Sequence, residues 1–422
     1  MQVLFLKNCK NGGIMSIKFV ILGSDENAYG MSRVIYKTYK EKPLVLCSRI
    51  LYPTMFSKIV DIKVIENFDT ESVCIKSLIN VGETLKKTTK NIILIPCSDS
   101  YMEYVVKNQD LLSGLFLNKF ISYNLLKSFI TKDKFYNLCD KYKLRYPKSV
   151  IIKESDRLDI LKKIHFKYPL ILKPNNSNSS EYLHAEFPNK KKVFLINSET
   201  ELIQTVNNIN KSNYKDNLIV QEFIKGDDTN NLVINAYSST DGKVRMMGIG
   251  RPVLEEYHPK VLGNYAAIIS EVGYKEVMND VKNFLENIKY VGFSNFDFKY
   301  NEIDKKYYCF EINYRQGRSS YFLNECGVNL IELLTDDLVY KKRKDIIYPT
   351  KKILWLNVPY MVTKKYINNT KVLEEISELK NKKEVYHTLF DKEDLSLIRY
   401  INLKKVYFSK TRQYKKYFIK KD

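Results

Sequence analysis

Short apolar runs separated by amphipathic stretches organise the first third of the chain. Ile17–Leu22 (IKFVIL), 43–47 (PLVLC) and Asn91–Pro96 (NIILIP) are near-continuous apolar segments, the pattern of strands buried on both faces of a parallel sheet. Residues 29–39 and 72–87 carry apolar positions at helical spacing between them. A strand, a turn at Gly23 and a helix in that order open a dinucleotide-type α/β sheet. The turn GSDENAYG is not GxGxxG, so no bound dinucleotide follows from it. The loops after the strands at 17–22 and 91–96 hold Asp25 and Asp99, where α/β sheets meet their ligands. Each reads either as a substrate contact or as a helix cap.

From 121 onward the pattern mixes short strands and helices. Residues 131–142 read as a helix, 144–147 as a turn, Ser149–Ile152 as a strand and 157–166 as a helix. Residues 168–174 (YPLILKP) form a strand ending in Lys173-Pro174, and 175–180 (NNSNSS) form a polar loop. Strands follow at 193–196, 218–224, Asn231–Ser238 and 244–249, with a helix at 200–209, a Gly-Asp turn at 226–228 and Arg251 just past the last strand. A helix at 274–287 leads into a hairpin, and a helix at 328–340 closes this part. Beyond 341 the pattern is less regular: a strand at 351–358 with Trp355, a helix at 373–383, and a tail that interleaves lysines with Tyr407, Phe408, Tyr414, Tyr417 and Phe418.

The hairpin, residues 293–320 (FSNFDFKYNEIDKKYYCFEINYRQGRSS), carries the chemistry. Asp297 lies on its first arm; Glu311 and Asn313 lie on the second, two apart and so on one face of the strand. Arg315 continues that face, and Gln316, Gly317, Arg318, Ser319 and Ser320 make a polar turn. Two carboxylates and an amide on paired strands are a hard oxygen set suited to magnesium, with manganese an alternative. An arginine beside them can neutralise a transferring phosphoryl group. A surface hairpin with its polar face in water has the same spacing.

Composition narrows the class. At 422 residues with 44% hydrophobic and 13% aromatic content, the chain is globular, with room for two or three domains. No apolar run approaches the ~20 residues that span a bilayer. Met15 precedes the first strand, so 1–15 read as a loose tail or mis-start. Seven cysteines without CxxC spacing read as buried free thiols of a reducing cytoplasm, and the four histidines form no ligand pair. The net charge is +21, and residues 341–422, with 22 Lys/Arg against 9 Asp/Glu, hold +13 of it. That surface favours anionic partners: nucleotides, the anionic inner face of a membrane, or a precursor's diphosphate. No nucleic-acid recognition module is visible.

Five features occur in order: Lys132 at a helix start, Lys173 before a polar loop, VQEFIKGDD, Arg251, and the trio Asp297, Glu311 and Asn313. Together they resemble the ATP-grasp superfamily of carboxylate–amine ligases, over about residues 16–340. ILGSDENAYGMSR, KDKFYNLCDKYKLRYPK and RQGRSS are most similar to the D-aspartate ligases, which join the β-carboxylate of D-aspartate to the lysine ε-amine of a muramyl peptide stem. The fold this implies is α/β: a Rossmann-like sheet at 16–120, a two-lobed α+β ATP-grasp domain at 121–340, and a small basic region at 341–422.

The resemblance also implies roles. Lys132, or Lys134 in its place, and Lys173 would meet the α- and β-phosphates of ATP. Gln221, with the backbone of Glu222 and Ile224, would meet adenine, and Glu222 or Asp228 the ribose. Asp297, Glu311 and Asn313 would hold magnesium, Arg251 and Arg315 would neutralise an acyl phosphate, and Gly317, Arg318 and Ser319 would take the donor's second carboxylate. The family has glycines where this chain has 175–180. No residue is marked by the sequence as the base that frees the amine; the loop carboxylates Asp25 and Asp99 are the candidates. The acceptor would be a peptide or other amine, lipid- or UDP-linked. A ligase for another amino acid, dipeptide or natural product shares these features, and so does an inactive nucleotide-binding scaffold with a membrane-docking tail.

Overall fold

The computed structural model describes residues 16–177, 179–259, 261 and 263–419, so the tail at 1–15 lies outside the described residues. Contacts divide the chain into two units. Among the described residues the first comprises 16–120, Asn329–Arg343 and Leu389–Leu403, and the second comprises those of Ile121–Val328, Lys344–Thr388 and 404–419.

Four parallel strands build the first unit: β1 (Ile17–Leu22), β2 (Leu44–Cys47), β3 (Asp61–Val64) and β4 (Asn91–Pro96), in the order β3-β2-β1-β4. The apolar runs form its buried interior, with Val20, Leu22, Leu46 and Leu94 packed against Cys74 and Leu78 of the helix Glu71–Lys86. The edge strand β3 (DIKV) is mostly exposed, which is why no apolar run marks it. Two later segments return to this unit. The helix Leu330–Leu338, expected to close the ATP-grasp part, belongs here instead: Asn329 donates to Thr38 and Tyr39 bonds Thr335. Asp394 and Arg399 form a fully buried ion pair at 3.1 Å. Its charges are satisfied by Tyr29, Ser57 and the carbonyls of Pro53 and Met55, as a buried pair requires.

The second unit holds two sheets, the two lobes expected. The smaller contains β5 (Ser149–Ile152), β6 (Leu170–Pro174), β7 (Phe194–Ile196) and β8 (Leu218–Glu222), antiparallel in the order β5-β8-β6-β7. The larger contains β9 (Asn231–Ser238), β10 (Val244–Glu255), β11 (Tyr265–Glu271), β12 (Gly292–Asn301), β13 (Lys306–Asn313), β14 (Leu354–Leu356) and β15 (Val385–His387), in the order β13-β12-β9-β10-β11-β14-β15. The region 341–422 is therefore not a separate appendage. It supplies two strands of this sheet and the helix Thr370–Asn381, whose Val372 and Ile376 pack on Leu354, Leu356 and Ile269. The six described cysteines are buried free thiols. No helix among the described residues is long and apolar enough to cross a membrane.

Candidate active site

Strands β12 and β13 pair with Asn295 opposite Asn313 and Asp297 opposite Glu311. The register then shifts: Phe298 faces Cys309, and Phe310 is the extra residue of a β-bulge. Residues directly opposite share a face, with Cβ atoms about 4.5–5.5 Å apart, where two like charges repel. Burial, with the Glu311 carboxylate beside it, pushes the Asp297 carboxyl up to about 7. The Tyr265 hydroxyl, 2.8 Å from Asp297 Oδ1, and the Arg315 guanidinium act in the other direction. Asn313, Asn295 and Asn235 form a row across three strands. Asn313 Nδ2 donates to Asn295 Oδ1 at 3.1 Å, and Asn295 Nδ2 to Asn235 Oδ1 at 3.0 Å. The row holds Asn313 by its nitrogen, so its Oδ1 is the atom available to a ligand. Gly317 closes over the row, and a Cβ there would come within 2.9 Å of the Asn295 amide.

Repelling carboxylates beside an amide oxygen fit a hard divalent cation. Among the described residues no three His, Cys, Asp or Glu side chains cluster as a metal site. A cation held by this trio would take its other ligands from phosphate and water, as magnesium does.

Two lysines complete the arrangement. Lys173 is buried near the end of β6, and its Nζ donates to Gln221 Oε1 at 2.8 Å and to the Tyr136 hydroxyl at 3.1 Å. Gln221 Nε2 in turn donates to Tyr136 at 2.9 Å and to Ser149 at 2.8 Å. The Lys173 ammonium lies 5.7 Å from the ring of Phe310, so the bulge brings β13 against the lysine. Burial, then the charge of Lys132, push the Lys173 ammonium down to about 7, while Glu311 acts upward. Lys132, Lys173 and Glu311 thus lie within electrostatic reach of one another.

The reason the lysines meet is local. Lys132 opens the helix Lys132–Tyr142, whose N-cap Thr131 gives no side-chain cap. Asn175, just past Lys173, supplies it: its carbonyl accepts from Lys132 N and its side chain from Asp133 N. The alternative, Lys134, is exposed.

A free-protein Lys173 near neutrality gives a binding signature. A phosphate anion beside it raises its proton affinity, so nucleotide binding at about pH 8 should take up close to one proton, and less at about pH 6. Calorimetry in buffers of different ionisation enthalpy measures this; no uptake at the higher pH removes Lys173 from the phosphate site.

Several expected roles change. Both N–H donors of the Gln221 amide are taken by Tyr136 and Ser149 and its oxygen accepts from Lys173, so the side chain is committed to fixing Lys173 and has no donor to offer adenine. Asp228 is buried and accepts from Glu255 N and the Tyr257 hydroxyl, so it anchors the end of β10 and is not presented to a ribose. Glu222, partly buried at the end of β8, remains for that role, and its N–H is used by Lys148. Ile224 is buried just past the strand.

Arg251 does not lie past a strand: β10 runs on to Glu255. Gly250 pairs with Val233 and Val233 with Asp297, so the next residue, Arg251, leaves the opposite face. There it bridges Glu271 at 2.8 Å and Glu375 at 2.5 Å. Arg251→Ala should leave turnover within a few-fold while lowering stability by about 1–3 kcal/mol, because two carboxylates lose a partner; urea unfolding and steady-state rates check both.

Arg318 is ion-paired too: it donates to Glu256, at 3.1 Å, and to Tyr265 O. Glu256 also receives Asn357 and the buried Lys410. Arg315 donates to Gln316 O at 3.0 Å while its charge acts on Asp297, and Ser319 is buried in the turn after Arg318. Asp25 and Asp99 lie in the first unit. Asp25 is the N-cap of the helix Glu26–Tyr39, accepting from Ala28 N at 3.0 Å, the capping alternative. Asp99 is in the first turn of the helix Asp99–Lys107, which Ser98 caps. Tyr136, Ser149, Tyr265, Asn295 and Phe310 were not singled out from sequence. Tyr136 alone had a signal, four residues after Lys132 on the same helix face.

No family model matches the chain. A D-aspartate ligase of Enterococcus faecium is 36% identical over 407 residues, covering 94% of this chain and 96% of that protein. Among solved structures, an N5-carboxyaminoimidazole synthetase from Staphylococcus aureus complexed with ADP superposes with a TM-score of 0.59 at 13% identity, over 94% of this chain and 97% of the other. An L-amino acid ligase from Bacillus licheniformis gives 0.56 at 14% identity, over 81% and 79%. At that identity the structural likeness speaks for the fold, and the sequence relative for the family. The chain belongs to the D-aspartate ligase family, ATP-dependent carboxylate–amine ligases with the ATP-grasp fold.

Proposed function

We propose that the protein activates the β-carboxylate of D-aspartate with ATP and joins it to the lysine ε-amine of a peptidoglycan-precursor stem peptide. The observation that carries the reaction is the carboxylate pair Asp297–Glu311 set near Lys132 and Lys173. The donor is suggested by the relative's name. A carboxylate is a poor acyl donor because its leaving group is oxide. Transfer of a phosphoryl group from ATP to its oxygen makes an acyl phosphate and ADP; attack by the neutral amine then forms the amide and releases phosphate. Such transfer is mainly a matter of positioning and charge neutralisation.

In this reading Lys132 and Lys173 bind phosphate oxygens, and Glu222 meets the ribose. Arg315 neutralises charge on the acyl phosphate, and Gly317, Arg318 and Ser319 face the donor's second carboxylate, Arg318 being held by Glu256. Asp297, Glu311 and Asn313 would hold magnesium, which supplies charge neutralisation at the phosphates.

A panel of donor acids against amine acceptors, read by ADP release and by product mass, tests it. Amide formation with D-aspartate and a lysine-containing muramyl peptide is expected. ADP release with another acid and never with D-aspartate would keep the ligase and discard the donor.

A further inference from the structure

We infer that the outward face of the helix Leu397–Tyr417, with Ile419 after it, docks on an anionic lipid surface. The helix is two-sided. Arg399, Leu403, Tyr407, Lys410 and Tyr414, spaced four, four, three and four apart, are buried. The opposite stripe is exposed and of unusual content. Leu397, Ile398, Ile401 and Phe408 on it, and Ile419 just past the helix end, are between 46% and 75% exposed. Lys405, Arg412, Lys415 and Lys416 stand among them, also exposed. The 21 residues of the helix include seven basic side chains and no acidic one.

Large apolar side chains alternating with cations on one helix face match a helix lying in a membrane interface, apolar groups entering the acyl boundary and lysines meeting headgroup phosphates. A nucleic acid would satisfy the cations but leave five apolar side chains in water, which disfavours it. No helix among the described residues can cross the bilayer, so the association is peripheral and salt-sensitive. The surface is independent of which amino acid the enzyme activates.

The full chain is tested by sedimentation with vesicles of phosphatidylcholine, with and without phosphatidylglycerol. Binding is expected only with the anionic lipid. Reversing Lys405, Arg412, Lys415 and Lys416 to Glu should weaken partition by about 100-fold or more. The same reversal at the exposed Lys63, Lys76, Lys87 and Lys90 of the first unit should weaken it only a few-fold. Phe408→Trp, which keeps the charge, should show a blue-shifted emission on anionic vesicles and none on heparin; Trp355 is buried and supplies a constant background. Absence of binding to anionic vesicles, equal losses from the two charge reversals, or an emission that vesicles do not move would each overturn the proposal.

Discussion

Glu311→Gln should abolish ligation, with turnover falling by at least about 100-fold, while the metal-free protein keeps or slightly gains stability. Both halves follow from one feature. Asp297 and Glu311 are directly opposed on paired strands, so their charges repel when no cation lies between them. Removing one charge relieves about 0.2–1 kcal/mol of that repulsion. The same change removes a ligand from a site whose task is electrostatic, where single groups are worth about 100- to 1,000-fold in rate. Thermal unfolding and steady-state turnover on the same preparation separate the effects. A variant that loses stability and activity together would mean that Glu311 holds the hairpin and not a cation.

Lys173→Met should cut nucleotide affinity by about 100-fold or more and leave the fold intact. The lysine is buried, and its charge is held there by one amide oxygen, one hydroxyl and two ring faces, with no carboxylate among the described residues bonded to it. A buried charge so weakly compensated costs folding energy, and a methionine of similar shape removes that cost. Lys173→Arg should fail to restore binding, since a planar guanidinium does not fit between Gln221 and Tyr136. Calorimetric titration with a non-hydrolysable nucleotide measures the loss. Unchanged affinity in the methionine variant would assign Lys173 to the core alone.

The hairpin was legible because its signals are local: two aromatic arms, a polar turn, and acidic and amide groups at strand spacing. Glu311 and Asn313, two apart, needed no tertiary knowledge to be placed on one face, whereas Asp297 joins that face through the pairing of the two arms. The bulge at Phe310 was not legible, because register is set by pairing and not by composition. Arg251 was misassigned for a related reason. The apolar run ends at 249 and leaves Arg251 just outside it, yet β10 continues with irregular register to Glu255, and face parity then sends Arg251 away from Asp297. β11 went unread because YAAIISE is short and half of it small or polar. The C-terminal strands β14 and β15 are three residues each, too short to show a period. Their membership of the large sheet, and the return of Leu330–Leu338 to the first unit, are long-range facts that no local pattern encodes.

A crystal of the protein with a non-hydrolysable ATP analogue and manganese, read by anomalous scattering, tests the central claim most directly. The expected map puts the metal about 2.0–2.3 Å from oxygens of Asp297 and Glu311, with the nucleotide phosphates reaching Lys132 and Lys173. Nucleotide bound with the metal elsewhere, or phosphates that touch neither lysine, would contradict it.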